Sequence, residues 1–337
     1  MIEVTTNDAR VLRELAQRKT VVEVRPEEVK RYLPEGFLID DSILEMICSS
    51  LNAGSHLMLS GSPGTGKTTL AVAVAKAATN RDAVFTTATS DWTTFDTVGG
   101  YLPDLNSPNR LVFEPGILYQ SIAERRWVIV DEINRAPIDK AIGPLFSTLS
   151  DNDVTLVYKN STGERLRIVA GNQPNSDNTI YKVDYWRMIA TLNEFDKMSL
   201  YEMSYAFLRR FALVHIPVPR NYEELVSTWF GQSNSEVQKA VFSIVRGVLD
   251  AEIREIGPAV FESMSMYMLD RRQNAENELD HLVEAMELYM LPQFQGVDED
   301  EWTRLLNLTV SQLSDRSEVE RRLSIAFSRI SGHGITL

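Results

Sequence analysis

The chain is poor in the features that hold or anchor a protein by means other than a packed core. It has one cysteine, Cys48, so no internal disulfide can form. Four scattered histidines beside that thiol give no metal-ligand cluster of recognisable spacing. Positive charge is scarce: 34 Lys and Arg against 47 Asp and Glu leave a net charge of −13. That balance excludes a general nucleic-acid coat, because phosphate binding needs clustered cations. Direct nucleic-acid binding is not indicated, although an assembly could still present a locally basic pore. Long apolar runs are missing too. Stretches such as Leu70–Ala75 and Trp127–Val130 fall far below the roughly 18 residues of a membrane span. Met1–Arg10 carries early charges and no apolar signal core. The expectation is a cytoplasmic protein of a reducing compartment with no membrane contact.

What is present suffices for a large core. The 337 residues are 44% apolar, enough for about two domains at roughly 150 residues each. Residues 7–18 read as a short helix, with Asn7 or Asp8 as its cap. Pro26 and Pro34-Glu35-Gly36 break the chain, and a second amphipathic helix runs from Asp41 to Asn52. Short apolar runs then appear at His56–Leu59, Ala83–Ala88, Trp127–Val130, Arg187–Leu192 and Phe211–Ile216. Helical segments at Lys67–Ala78, Ile117–Glu124 and Lys140–Leu149 lie between them. Such alternation predicts a parallel sheet covered on both faces. Two insertions interrupt it: residues 98–115, rich in Gly, Pro and Asn, and residues 153–171. The second reads as a hairpin of Val154–Tyr158 and Arg165–Ala170 around Asn160-Ser161-Thr162-Gly163. Beyond Pro219 the pattern turns helical, with helices expected at 236–256, 259–271, 276–291, 299–313 and 317–330. The acidic run Asp298–Glu301 reads as a helix start, Met264, Met266 and Met268 as core, and Trp92 and Phe95 as packing under the first insertion.

The strongest chemical signal is Gly61-Ser62-Pro63-Gly64-Thr65-Gly66-Lys67-Thr68, which fits G-x-x-x-x-G-K-[ST] in full. Glycines let backbone N–H groups converge on phosphates, and the following helix, with Thr69 in its first turn, points its positive end at them. Lys67 adds a charge for the β and γ phosphates, and the Thr68 hydroxyl is placed to ligate Mg2+. Trp127-Val128-Ile129-Val130-Asp131-Glu132 is the second signal. An apolar strand ending in two carboxylates is costly unless the charges are used or paired. Asp131 would reach the magnesium shell, and Glu132 would polarise water for attack on the γ-phosphate of ATP.

Together with the P-loop, Asp131-Glu132-Ile133-Asn134-Arg135-Ala136-Pro137 resembles the AAA+ branch that contains MoxR proteins, the McrB restriction motor and dynein-like modules. The resemblance spans about Phe37 to Pro219 and, more weakly, the helical remainder. It implies an α/β P-loop NTPase fold with a five-stranded parallel sheet, a helix-2 insert at 98–115 and a pre-sensor hairpin at 153–171, followed by an all-helical lid. The domains would be an N-terminal helical extension (1–36), the ATPase core (37–219) and the lid (220–337). Met188-Ile189-Ala190-Thr191-Leu192-Asn193 looks like the sensor-1 strand, with Asn193 orienting the attacking water. Its rival is Ile168-Val169-Ala170-Gly171-Asn172; Asn193 is preferred because Ala206-Phe207-Leu208-Arg209-Arg210-Phe211 follows at the family's spacing. In that family the Arg pair supplies a finger that reaches a neighbour's nucleotide, with Arg210 the favoured member here. One departure is Ile256-Gly257-Pro258-Ala259, which has Ala where the family often places a sensor-2 Arg; Arg271 or Arg272 would have to substitute.

The resemblance thus implies an ATPase using ATP and Mg2+ in a ring of its own copies, a hexamer by analogy, that remodels or activates a separate protein. Two other readings compete. One is the motor subunit of a nucleic-acid-processing or defence complex with a separate effector chain; the other is a non-hydrolysing nucleotide-dependent scaffold. No Asn-Lys-x-Asp guanine signature occurs, which favours ATP over GTP.

Overall fold

A computed structural model describes residues 22–104, 107–193, 203–219, 221–230, 236–271, 278–310 and 316–331. The helix expected at 7–18 and Arg272 lie outside the described residues. By internal contacts the chain forms two units. The first comprises residues 22–33, Ile39–Gly61 and Lys67–Ile216. The second comprises Pro34–Leu38, Ser62–Gly66 and the described residues from Pro217 on.

In chain order the strands of the first unit are β1 (His56–Gly61), β2 (Val84–Thr87), β3 (Gly99–Asp104), β4 (Ser107–Pro115), β5 (Val128–Asp131), β6 (Val154–Lys159), β7 (Arg165–Ala170), β8 (Thr179–Lys182), β9 (Met188–Asn193) and β10 (Phe211–His215). Five of them form the parallel sheet, in the order β10-β1-β9-β5-β2. The inner strands β1, β5 and β9 are buried almost throughout, whereas the edges β2 and β10 keep exposed positions. Central parallel strands are covered on both faces and therefore read as unbroken apolar runs, which is why these segments were legible. The helix Asp41–Asn52 is capped by Asp40, whose carboxylate accepts from the Ser42 N–H at 2.9 Å, and it buries Ile43, Leu44, Ile47 and Leu51. Lys67–Thr79 and Ile117–Ala123 are helical as expected.

The segment expected as one helix over Lys140–Leu149 is broken instead. Ile138–Ile142 is α-helical and is followed by 3-10 turns at Gly143–Leu145 and Thr148–Ser150. Pro144 has no N–H to donate and its ring blocks the carbonyl four residues back, so a continuous helix cannot pass it.

Both insertions are β-structure. In the first, β3 and β4 pair antiparallel. In the second, β6 and β7 pair antiparallel, and β8 adds to β7 in parallel; this third strand was not foreseen. The β6–β7 register shifts between Thr155 and Lys159, and Lys159 then pairs with Arg165. The Tyr101 hydroxyl, from β3, bonds the Lys159 backbone: it accepts from the Lys159 N–H at 2.6 Å and donates to the Lys159 carbonyl at 3.2 Å. Tyr101, Phe113 and Tyr158 pack ring against ring around this contact. Trp92 is buried as expected, while Phe95 is 44% exposed and covers Gly100.

The second unit is helical: Tyr222–Phe230, Glu236–Ala251, Pro258–Arg271, Glu278–Ala285, Glu299–Val310 and Arg316–Ser331. Tyr222–Phe230 was not anticipated. Glu278–Ala285 runs on as a π-helical turn, Met286–Met290, and a 3-10 turn, Leu291–Phe294. Met264 and Met268 are in the core, but Met266 is 58% exposed, a correction to the reading of all three as core. Glu236–Ala251 packs on Glu299–Val310 so closely that a Cβ at Gly247 would lie 2.5 Å from the Leu308 carbonyl oxygen. Asp298 and Glu301 cap the latter helix reciprocally, at 2.8 and 3.2 Å.

Candidate functional site

Parallel strands deliver their carboxyl ends to one edge of a sheet, and ligands bind there where the strand order reverses. In this sheet Gly61 is in register with Asn193, and Thr87 with Asp131. The P-loop, both carboxylates and the preferred sensor residue therefore leave the sheet on the same edge.

Gly61 has φ +146°, and a Cβ there would lie 2.4 Å from the Ile216 carbonyl oxygen, so only glycine fits. Lys67 opens its helix and is buried; its ammonium donates to the Gly61 carbonyl at 3.0 Å. The Thr68 hydroxyl donates to Asp131 Oδ1 at 2.6 Å. Thr191, two residues before Asn193 and so on the same side of β9, donates to the same oxygen at 2.6 Å. Thr191 also accepts the Glu132 N–H at 2.9 Å. It was not singled out from the sequence, although period-two spacing from Asn193 carried the signal.

Glu132 sits in the left-handed region, φ 53° and ψ 44°. For a residue other than glycine this costs about 1 kcal/mol and is found where surrounding contacts fix the backbone. Its carboxylate is held on both oxygens. Asn193 Nδ2 donates to Oε1 at 3.0 Å, and Arg135 Nε lies 2.6 Å from Oε2. Asn134, buried, donates to the Asn193 carbonyl at 3.2 Å. The string Asp131–Arg135 and the end of β9 thus form one polar network. Arg135 and Asn134 were quoted in the motif but given no role; their spacing of three and two from Glu132 was the available clue.

Asn172, the rival to Asn193, lies elsewhere. It is in an exposed loop after β7, where it accepts from Arg125 Nη1 at 3.1 Å. The arginine pair is split in environment. Arg209 is exposed, whereas Arg210 Nε donates to the Phe146 carbonyl at 2.8 Å and its guanidinium carbon stands 5.3 Å from the Phe146 ring centre. Burial first, then the Arg209 charge, lowers the Arg210 pKa.

Within the second unit, Thr65 donates to the Ser62 carbonyl and Ser62 to Glu255 Oε2, both at 2.9 Å. Pro63 and Gly64 lie against Gly257, where a Cβ would come 2.3 Å from the Pro63 carbonyl oxygen. Ala259, at the place the resemblance gives to Arg, meets Gly64 through its backbone, the Ala259 N–H donating to the Gly64 carbonyl at 3.4 Å. Arg271 Nη2 is 3.0 Å from Glu284 Oε2, which also accepts from Tyr267.

No group of three or more His, Cys, Asp or Glu able to hold a metal occurs among the described residues. Thr68 and Asp131 are a hard-oxygen pair, the donor type that suits Mg2+, which takes only one or two protein oxygens and fills its shell with phosphate and water. Among the described residues no helix is long and apolar enough to cross a membrane.

Residues 56–211 match the AAA domain of the dynein-related subfamily. A curated relative is the EcoKMcrB subunit of a type IV methyl-directed restriction enzyme from Escherichia coli K12, 26% identical over 189 residues. The match takes in 53% of this chain and 39% of that protein, so the chain spans well under half of the relative's length. Similar solved structures include the Holliday junction branch migration motor RuvB of Thermotoga maritima, at 15% identity and a TM-score of 0.46 over 85% of this chain and 80% of that one. NtrX of Brucella abortus in complex with ATP is similar at 13% identity and a TM-score of 0.38, over 95% and 73%. The P-loop, the strand order and the family match agree: residues 56–211, a little under half of the chain, are similar to the AAA domain of the dynein-related subfamily.

Proposed function

We propose that this chain hydrolyses ATP with Mg2+ at the subunit interfaces of a ring of its own copies, a hexamer by analogy, and spends the energy on remodelling or activating a separate protein. The observation that carries the reading is the network at the strand ends, in which Thr68 and Thr191 meet on Asp131 while Asn193 meets Glu132. Gly61–Gly66 and Thr69 cradle the phosphates, and Lys67 exchanges its Gly61 carbonyl for phosphate oxygens. Thr68 and Asp131 would hold Mg2+, which when bound neutralises charge on the β and γ phosphates. Glu132 takes the proton of the attacking water, and Asn193 fixes the carboxylate that does so.

The interface finger is assigned to Arg209 rather than to Arg210. A finger has to leave its own subunit, and Arg210 is tied to Phe146 in its own chain. Tyr205, one helical turn before Arg209, is 91% exposed, consistent with a surface that meets a neighbour. Residues 1–36, 37–219 and 220–337 are read as extension, ATPase core and lid.

The test is turnover against protein concentration, for the natural chain and for Glu132→Gln. Turnover per chain should rise with concentration, and Glu132→Gln should bind nucleotide without turning it over. A flat profile at full activity would remove the ring from the reading. Competition of ATP with GTP decides the base. A second reading, a motor subunit acting with a separate effector chain, is favoured by the likeness to a restriction-enzyme subunit. Proteins retained by Glu132→Gln would tell the two apart.

A further inference from the structure

The first unit has a cavity of about 210 Å³ at the amino end of its sheet, beside the starts of β2 and β5 and away from the P-loop edge. Arg81, Arg125 and Arg126 line it, over an apolar floor that includes Ala78, Trp127 and Tyr185. In a chain of net charge −13, three guanidinium groups around one small cavity are a local reversal of sign.

Two of them are held in place. Arg125 Nη1 donates to Asn172 Oδ1 at 3.1 Å and Nη2 to the Gln173 carbonyl at 2.6 Å. Arg126 Nε and Nη2 donate to the Asp82 and Ala83 carbonyls at 3.1 and 3.2 Å, and Nη1 meets Glu124 at 3.1 Å. Amide and carbonyl acceptors orient a guanidinium without cancelling its charge. Only Glu124 offsets charge among the partners just named, since nearby Asp82 is paired with Lys76. Arg81 is exposed at the rim. Arg125 also has φ 55°, a left-handed backbone that costs about 1 kcal/mol in a residue other than glycine. The floor is fixed as well, the Trp127 indole donating to the Tyr185 carbonyl at 2.6 Å.

We propose that this cavity is a binding site for an oxyanion, a phosphate or carboxylate group, held by Arg81 and Arg125 with its apolar part on Trp127 and Tyr185. Guanidinium forks suit such groups because they offer paired donors and a permanent charge. The volume is below the roughly 300–1,000 Å³ of pockets for drug-sized ligands, so the cavity takes a small group or the end of a larger molecule. Asn172 then has a role after all, as the residue that aims Arg125.

The test uses the full chain carrying Lys67→Ala, so that the P-loop does not take up phosphate, titrated with pyrophosphate and with succinate by calorimetry. Saturable binding is expected for at least one probe, weakened roughly tenfold or more by Arg81→Gln, since a charge-assisted hydrogen bond is lost. Binding of pyrophosphate alone identifies a phosphate ligand, and binding of succinate a carboxylate. No saturable binding of either probe, or binding that Arg81→Gln leaves unchanged, overturns the site. Arg125→Gln should weaken binding too. An effect in that variant alone would mean that Arg125 merely supports the loop, and would equally overturn the proposal.

Discussion

The two ends of the parallel sheet treat charge differently. At the carboxyl end, side chains hold side chains: Thr68 and Thr191 on Asp131, Asn193 and Arg135 on Glu132. At the amino end, charged and polar groups are buried and fastened largely to backbone. His56, fully buried, accepts the Met188 N–H on Nδ1 at 3.1 Å, and its Nε2 lies 3.2 Å from the Leu149 carbonyl, so the proton is on Nε2. Arg187 donates to the Asp184 and Trp186 carbonyls at 2.6 and 2.9 Å. Lys182 is buried against Asp151. Bonds between side chains at the ligand edge, like the Lys67 bond to the Gly61 carbonyl beside them, can be exchanged for bonds to a ligand with little backbone movement. Buried groups tied to backbone at the opposite end are held by the sheet itself. One end is built to rearrange, the other to stay.

Four measurements would break or sharpen that contrast. The largest effect is expected at the carboxyl end. Glu132→Gln should lower turnover by roughly 10²–10⁴, the usual contribution of a positioned base, with unfolding free energy changed by less than about 1 kcal/mol. A large loss of stability there would make Glu132 a structural residue.

At the amino end the order reverses. Asp151→Ala leaves the Lys182 ammonium buried without its partner. Burial already holds the Lys182 pKa below its ordinary value, against the pull of Asp151. Breaking a fully buried pair costs about 3–5 kcal/mol; because Asp151 is half exposed, a loss of about 2 kcal/mol is expected in urea unfolding. Turnover per folded chain should not move.

His56 supplies a pH dependence. Burial first, then the charges of Lys182 and Arg187, push its pKa down to about 3, against roughly 6.5 in an unfolded chain. The unfolded state therefore takes up a proton that the folded state refuses. The stability this gives is complete above pH 6.5 and lost as pH falls towards 3, at up to about 1.4 kcal/mol per pH unit. Between pH 6 and 4.5 the natural chain should lose stability more steeply than His56→Gln; equal slopes would show that His56 is protonated in the fold.

The smallest effect is expected at Arg135, which is about half exposed beside Glu132. An exposed ion pair contributes about 0–1 kcal/mol, so Arg135→Ala should leave the melting temperature nearly unchanged and alter turnover by less than about tenfold. A loss of more than a hundredfold would place Arg135 in the reaction itself.

The sheet was legible because its inner strands are buried on both faces and its P-loop is a contiguous string. What depended on distant partners was not. β8 has four residues with little apolar signal and exists by pairing with β7. Tyr222–Phe230 follows two prolines and was passed over, although Leu225, Val226 and Phe230 reach the second core. The break at Gly143-Pro144 is legible in the sequence, because proline cannot sit inside an α-helix without breaking or kinking it. At the site, the nearness of Asp131 and Glu132 to the P-loop was implied by motif alone. Thr191 and Arg135 had only their spacing from Asn193 and Glu132 as a local clue; their partners followed from the register of β9 and the turn after β5.

The hydroxyl of Tyr101 holds both backbone groups of one β6 residue, and the amide it covers belongs to Lys159, 58 residues away in the chain. The exchange of that single amide hydrogen with solvent is therefore a native gauge of the distance between the two insertions. It slows when they are joined and quickens when they part, with no label required.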